Sequence, residues 1–393
     1  MIKKLIISAM VLVGIGVNCV NNTPKNAAYP HTPALKAPAI PQADSFAIQA
    51  FSTLAAAQQD DNLAFSPAGL EAVLHLLQQG AQGSTAAELA ALPLGKKGVY
   101  SAMQPAEAYA LFVADDLTLT PGVRTELVQR MPFASAPGKA AKAINEWAKR
   151  QTHGLISNVA DAVSPATRLF AASAIYLKEK WLHPFDKGET ESFYRFTCNN
   201  GSITYVDMMQ CTEAFRYAEG EDWQAVALPY KTEGRIGEPG YFIGILPKGN
   251  AHQFAAQLTP KKYQSIRRAL AKEDSTQTLL VKLPRFRIDT GRIQLNELLQ
   301  VLGVKTAFTR EADFRGFTKE PLYLNDVSQY CIVINDEEGT EAAAVTIADI
   351  DSWCLEPEQP QIKELIFDRP FLWIIGDLTT PAPPYFMGIT AKP

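Results

Sequence analysis

Three hundred and ninety-three residues, 47% hydrophobic and 20% charged, can bury a sizeable core, which rules out a disordered chain. Lys and Arg number 37 against 41 Asp and Glu, so there is no basic excess to displace counterions from nucleic-acid phosphates. Five cysteines without CxxC spacing and five scattered histidines exclude a disulfide scaffold and a structural zinc site, and no metal or cofactor is expected.

Lys3 and Lys4 precede an apolar run from Leu5 to Val17, too short to span a bilayer and suited to the core of a signal peptide over residues 1–19. Cys19 closes the run in Gly16-Val17-Asn18-Cys19, which resembles the acylation box of bacterial lipoproteins. Asn18 stands where a small residue is usual, so lipidation of Cys19 and ordinary cleavage with secretion both stay open. Either route places the mature chain outside the cytoplasm, secreted or held at a cell envelope by lipid alone. Residues 20–43, rich in Pro, Ala and Asn, read as an extended tether.

From Asp44 onward helical and strand periods mix without a repeat, and no Gly/Ser linker divides residues 44–393. Leu70, Val73, Leu74 and Leu77 form a helical face opened by Ser66-Pro67 and closed by Gly80. Ala140 to Arg150 is a second helix, with Ile144 and Trp147 on one face and Gly154 beyond its end. Strands are expected over Leu169–Leu177, Ala225–Tyr230, Tyr241–Leu246 and Leu279–Ile288, followed by a helix over Leu295–Leu302. Further strands are expected over Cys331–Asn335, Leu365–Phe367 and Phe371–Gly376. Helices early and strands late favour an α+β fold.

The connection from Asp336 to Pro360 is well beyond the usual loop length. Its alternate residues Thr340, Ala342, Ala344, Thr346, Ala348, Ile350 and Ser352 are nearly all small, and period two is the signature of one strand face. Such a segment is an exposed loop with a strand written into it, or else an Ala-rich linker.

These residues resemble a serpin from Asp44 to Pro393. The strongest likeness is Glu337-Glu338-Gly339-Thr340-Glu341-Ala342-Ala343-Ala344, close to the family's hinge signature. Other blocks follow in the family's order, among them Asn62 to Pro67, Ile144-Asn145-Glu146-Trp147, Trp181, Leu228-Pro229-Tyr230, Leu283-Pro284-Arg285-Phe286 and Asp368-Arg369-Pro370-Phe371. The resemblance implies a large mixed central sheet, two smaller sheets, eight to nine helices and an exposed reactive-centre loop over residues 337–362. It also implies a monomeric suicide inhibitor of proteases. The target cuts the loop and forms a covalent acyl-enzyme, and the freed arm enters the large sheet as an extra strand.

Small hinge residues suit that insertion, and Thr340, Ala342, Ala344 and Thr346 supply them while Glu341 falls on the outward parity. The family's spacing from Gly339 puts the reactive bond at Trp353–Cys354, whereas counting back from Pro370 lands near Gln359. Asp351, Ser352 and Leu355 remain alternatives. No Lys or Arg occurs from Thr340 through Ile362, so a trypsin-like target fits poorly. Chymotrypsin-like or elastase-like proteases fit better, and papain-like cysteine proteases stay open.

The resemblance also assigns a sheet-opening region to Ser66, Gly69, Ser173 and Gln329. Only Ser66 keeps the family's usual residue, and Gln329 is expected to serve as both donor and acceptor. Glu337 and Glu338 lie at a strand exit and read as solvated. With no Gly-x-Ser-x-Gly elbow, an enzyme is not expected. The alternative reading is a non-inhibitory serpin acting as a binding or chaperone module.

Overall fold

In the computed structural model the described residues are 44–58, 61–95, 106–160, 163–177, 179–232, 239–340, 362–379 and 382–393. All of them belong to the compact unit Leu35–Pro393. The amino-terminal half runs α1 (Ser45–Ala57), β1 (Leu63–Phe65), α2 (Pro67–Gly80), α3 (Gly83–Ala91), β2 (Ala106–Ala114) and β3 (Val128–Met131). Then come α4 (Pro137–Gln151), β4 (Leu169–Tyr176), β5 (Glu179–Lys180), β6 (Glu191–Thr197), β7 (Ile203–Glu219), β8 (Trp223–Pro229) and β9 (Tyr241–Pro247). The remainder is α5 (Ala251–Ala256), α6 (Pro260–Ala271), β10 (Thr276–Pro284), β11 (Phe286–Gln294) and α7 (Asn296–Val301). The chain closes with β12 (Asp326–Asn335), β13 (Gly339–Thr340), β14 (Lys363–Ile366), β15 (Phe371–Gly376) and β16 (Phe386–Thr390). Helices number seven among the described residues, against the eight to nine expected.

Local chemistry explains the helix starts. Pro67, Pro137 and Pro260 occupy first-turn positions, where a missing N–H costs nothing. Ser66 caps α2, its hydroxyl accepting the Gly69 N–H at 3.2 Å. Thr259 caps α6 in the same way through the Lys262 N–H.

The large sheet has seven strands, with β3, β2, β4 and β12 side by side and β11 on the far flank of β12. It is mixed, since β4 and β12 run parallel while β2–β4 and β11–β12 are antiparallel. A second sheet of nine strands contains the two smaller sheets expected, and they are continuous because the 17-residue β7 belongs to both. Its beginning pairs with β6, its middle with β10 and its end with β8.

Leu279–Ile288, expected to be one strand, is two. Pro284 has no N–H to give to a ladder, and the Arg285 N–H makes the last bond from β10 to β7, to the Asp207 carbonyl at 2.8 Å. The chain thereby passes from the second sheet (β10) into the large one (β11), leaving Arg285 between them.

One core lies between the large sheet and its helices, where Phe112 meets Trp147 edge to face at 5.3 Å. A second core joins the two sheets through Trp181, Tyr230, Phe242, Phe286 and Trp373. All of β12 is buried except Ile334, as expected of a strand covered on both faces.

Candidate functional site

β4 and β12 are in direct register from Asp326 opposite Phe170 to Cys331 opposite Ile175. Beyond Cys331 that register ends, and β13 lies where a strand between them would begin. Thr340 pairs with Asn335 of β12 on one side and with Glu179 of β5 on the other, and Gly339 pairs with Lys180.

A tight turn delivers those two residues. The Asp336 carboxylate accepts the N–H groups of Glu338 at 2.9 Å and Gly339 at 3.3 Å, and the Asp336 N–H donates to the Gly339 carbonyl at 3.0 Å. Glycine is required next by space. A Cβ on Gly339 would lie 2.1 Å from the Glu179 carbonyl oxygen. Thr340 follows, 1% exposed, with its hydroxyl 2.7 Å from that of Tyr230. Tyr230 stacks on Trp181 with centroids 4.8 Å apart. Burial pushes the Tyr230 phenol far up, so it stays neutral.

Trp181 also holds the turn, donating from Nε1 to the Asp336 carbonyl at 2.9 Å and from its backbone N–H to the Glu338 carbonyl at 2.9 Å. The expectation that Glu337 is solvated is overturned, for it is 2% exposed. Its carboxylate accepts the Thr190 hydroxyl at 2.6 Å and a guanidinium N–H of Arg285, which also bridges to Asp207 at 3.2 Å. Glu338 pairs with Lys187 at 2.6 Å.

Burial alone would raise the Glu337 carboxyl, but hydrogen bonds from Arg285 and Thr190 outweigh it and hold the group below its ordinary 4.5. A depressed carboxyl contributes stability that is fully present above the unfolded value and lost as pH falls through the folded one. Glu337→Gln should therefore cost about 1 kcal/mol near neutral pH, a small figure because Arg285 is half-buried. Denaturant melts should show that gap constant from about pH 8 to about pH 5 and shrinking below about pH 4.5.

Gln329 lies further down β12, where Ser66 and Gly69 of the α2 start and Ser173 of β4 come up to it. Asn335 is six positions beyond Gln329 on β12, about 20 Å of extended chain. The Gln329 Oε1 accepts the Ser66 N–H at 2.8 Å, and its Nε2 donates to the Ser66 carbonyl at 2.9 Å and the Ser173 hydroxyl at 3.2 Å. The Cys331 thiol approaches Oε1 at 3.5 Å. Ser66 in turn donates to the Tyr385 carbonyl at 2.5 Å. Gly69 has no room for a side chain, since Ile175 Cδ1 would be 1.8 Å from an added Cβ. One amide thus ties the start of α2 to β4 and β12. Gln329→Leu leaves the buried Ser66 N–H unpartnered and takes one of two donors from the Ser66 carbonyl, which keeps the Leu70 N–H, and an equilibrium unfolding curve should show a loss of about 2–3 kcal/mol.

Glu337, Gly339 and Thr340 therefore meet where β13 joins β12, and Ser66, Gly69, Ser173 and Gln329 meet below, where β4 and β12 are paired. Glu341, Ala342, Ala343, Ala344, Thr346, Asp351, Ser352, Trp353, Cys354 and Leu355 lie outside the described residues, as does Cys19. Trp181, Thr190, Tyr230 and Arg285 were given no role from sequence. Three of the four sit in blocks that carried the resemblance, which was the available signal. Among the described residues no three His, Cys, Asp or Glu side chains gather as a metal site would need.

Residues 41–109 and 120–393 match the family model described as serpin (serine protease inhibitor). An uncharacterized serpin-like protein of Thermococcus kodakarensis is 30% identical over 87% of this chain and 83% of its own length. Human Serpin B8 is 30% identical over 84% and 93%. Among solved structures, human glycosylated kallistatin superposes with a TM-score of 0.76 at 22% identity, covering 89% of this chain and 97% of that one. A thyroxine-binding globulin complex with thyroxine gives 0.75 at 21% identity over 89% and 98%. The family match runs unbroken from residue 120 through the hinge to residue 393, and the same architecture recurs in these solved chains, so this chain belongs to the serpin family.

Proposed function

We propose that this serpin is a suicide inhibitor of serine proteases with a chymotrypsin-like or elastase-like preference. One observation carries the reading. Thr340 already pairs with strands on both sides, and the residues of like parity that follow, Ala342, Ala344 and Thr346, are small enough to continue inward. The protease serine attacks the Trp353 carbonyl, the Cys354 amine leaves, and the ester persists while the freed arm inserts. Monomeric action outside the cytoplasm, with or without a lipid at Cys19, completes the proposal.

The test is to mix the protein with chymotrypsin, pancreatic elastase and papain and look for a complex that survives SDS. Sequencing the released carboxy-terminal fragment distinguishes cleavage at Trp353 from cleavage at Asp351, Ser352 or Leu355. Loop cleavage by all three enzymes without any complex would instead favour a non-inhibitory binding module.

A further inference from the structure

Outside the hinge, the most unusual backbone belongs to Phe193. It is not glycine, yet its φ is +62°, a left-handed conformation that bulky residues rarely adopt. The residue sits in a bulge of β6, where Glu191 and Tyr194 face Met208 and Val206 of β7, so β6 carries one residue more than its partner. The conformation does not serve to bury the ring, since Phe193 is 82% exposed. Tyr205, 66% exposed, lies opposite Arg195 on the same surface. A groove of about 350 Å³ runs between them, lined by Ser192, Phe193, Tyr205, Asp207 and Arg285.

A bulge alone is a common guard against edge-to-edge pairing, and among the described residues β6 pairs only with β7. Guarding an edge calls for charge or proline, not an aromatic ring held in solvent by strained backbone. Strain that leaves an apolar group exposed is better explained by something that covers the group.

What covers it follows from where the groove lies. Arg285, in its wall, is the residue that holds Glu337, three positions before Thr340, where the described chain stops. The chain resumes at Ile362 and enters β14, which is joined through β10 and β7 to β6. Lys363 lies three strand spacings, about 15 Å, across the sheet from β6 and six residues, about 20 Å, further along β7 than Phe193, so the nearer approach is from the hinge, where the Arg285 wall touches Glu337 itself. A protein engaging residues 341–361 with an ordinary footprint, about 30 Å across, therefore reaches the groove.

We propose that the groove between Phe193 and Tyr205 is a second docking surface for the target protease, receiving an apolar side chain from that protease's surface. This rests on the inhibitory reading above. Docking there raises the rate of encounter and leaves the insertion step untouched.

The experiment compares the wild type with a Phe193→Ser, Tyr205→Ser double variant against whichever of chymotrypsin, pancreatic elastase and papain the wild type traps fastest. The association rate should fall about tenfold or more, as for loss of an aromatic anchor, with the stoichiometry of inhibition unchanged. Phe193→Gly, which relieves the backbone, should melt no lower than wild type and show the same direction of change in rate. A rate within about twofold of wild type overturns the docking surface and leaves the inhibitory reading intact. A slower rate accompanied by a matching rise in stoichiometry places the effect in insertion and also overturns it. A wild-type dimer that the double variant abolishes assigns the face to a second copy of this chain, against the proposal. If the wild type traps none of the three enzymes, both readings fall.

Discussion

Cutting the loop near Trp353 should raise the melting temperature of the protein by on the order of 20 °C. The size follows from the large sheet. Inserting the arm after Thr340 replaces the ladder between β4 and β12, six residue pairs long, with two new antiparallel ladders. The net gain is on the order of a dozen backbone hydrogen bonds at about 0.5–1.5 kcal/mol each. At a few degrees per kcal/mol for a chain of this size, somewhat less than in smaller domains, the rise is far outside the error of a thermal scan. Differential scanning calorimetry of intact and nicked protein is the measurement. Equal melting temperatures would mean that no energy is stored in the uncut state.

Thr340→Arg should convert the inhibitor into a substrate. The Thr340 side chain is enclosed beneath Tyr230 and Trp181, and the neutral phenol offers one hydrogen bond and no counter-charge. A guanidinium there is desolvated and unpaired, so the uncut hinge withdraws from the position Thr340 already holds, and insertion must then begin by burying the charge at a penalty of several kcal/mol. The protease then completes hydrolysis before the arm has moved. The stoichiometry of inhibition should rise several-fold while the cleavage rate is unchanged, and Thr340→Ser should behave like wild type. An unaltered stoichiometry in the arginine variant would remove strand insertion from the mechanism.

What could be read from the sequence divides along physical lines. Helix α2 announced itself through Ser66-Pro67 and an apolar face, and α4 through Ile144 and Trp147, because each is buried on one side and solvated on the other. Helix α1 gave no such signal, since every residue from Ser45 to Ala55 is buried and no polar face marks the period. The break at Arg285 was missed because apolar alternation continues across it, and only the sheet to which each half pairs has changed. At the site, Thr340 was legible because small residues at period two have a steric meaning along a strand, and Gly339 through the hinge signature that carried the resemblance. The partners were not. Thr190, Tyr230 and Arg285 lie 52 to 147 positions from the hinge residues they touch, and no local pattern encodes such a meeting. The burial of Glu337 escaped for the same reason, since an acid beside an acid reads as wet until its arginine is found.

The contact between β4 and β12 has one further consequence. On the inhibitory reading proposed above, the arm cannot slip into an open slot, because below Thr340 β4 and β12 are joined by the rungs from Cys331 down to Asp326. Entry must proceed as a zip fastener does, each new residue prising apart one old rung before two replacements close behind it. The steepest resistance falls where Gln329 rivets both tapes to the start of α2. Shelf life before cleavage and speed after it are then set by one rivet, and loosening it shortens the first while quickening the second.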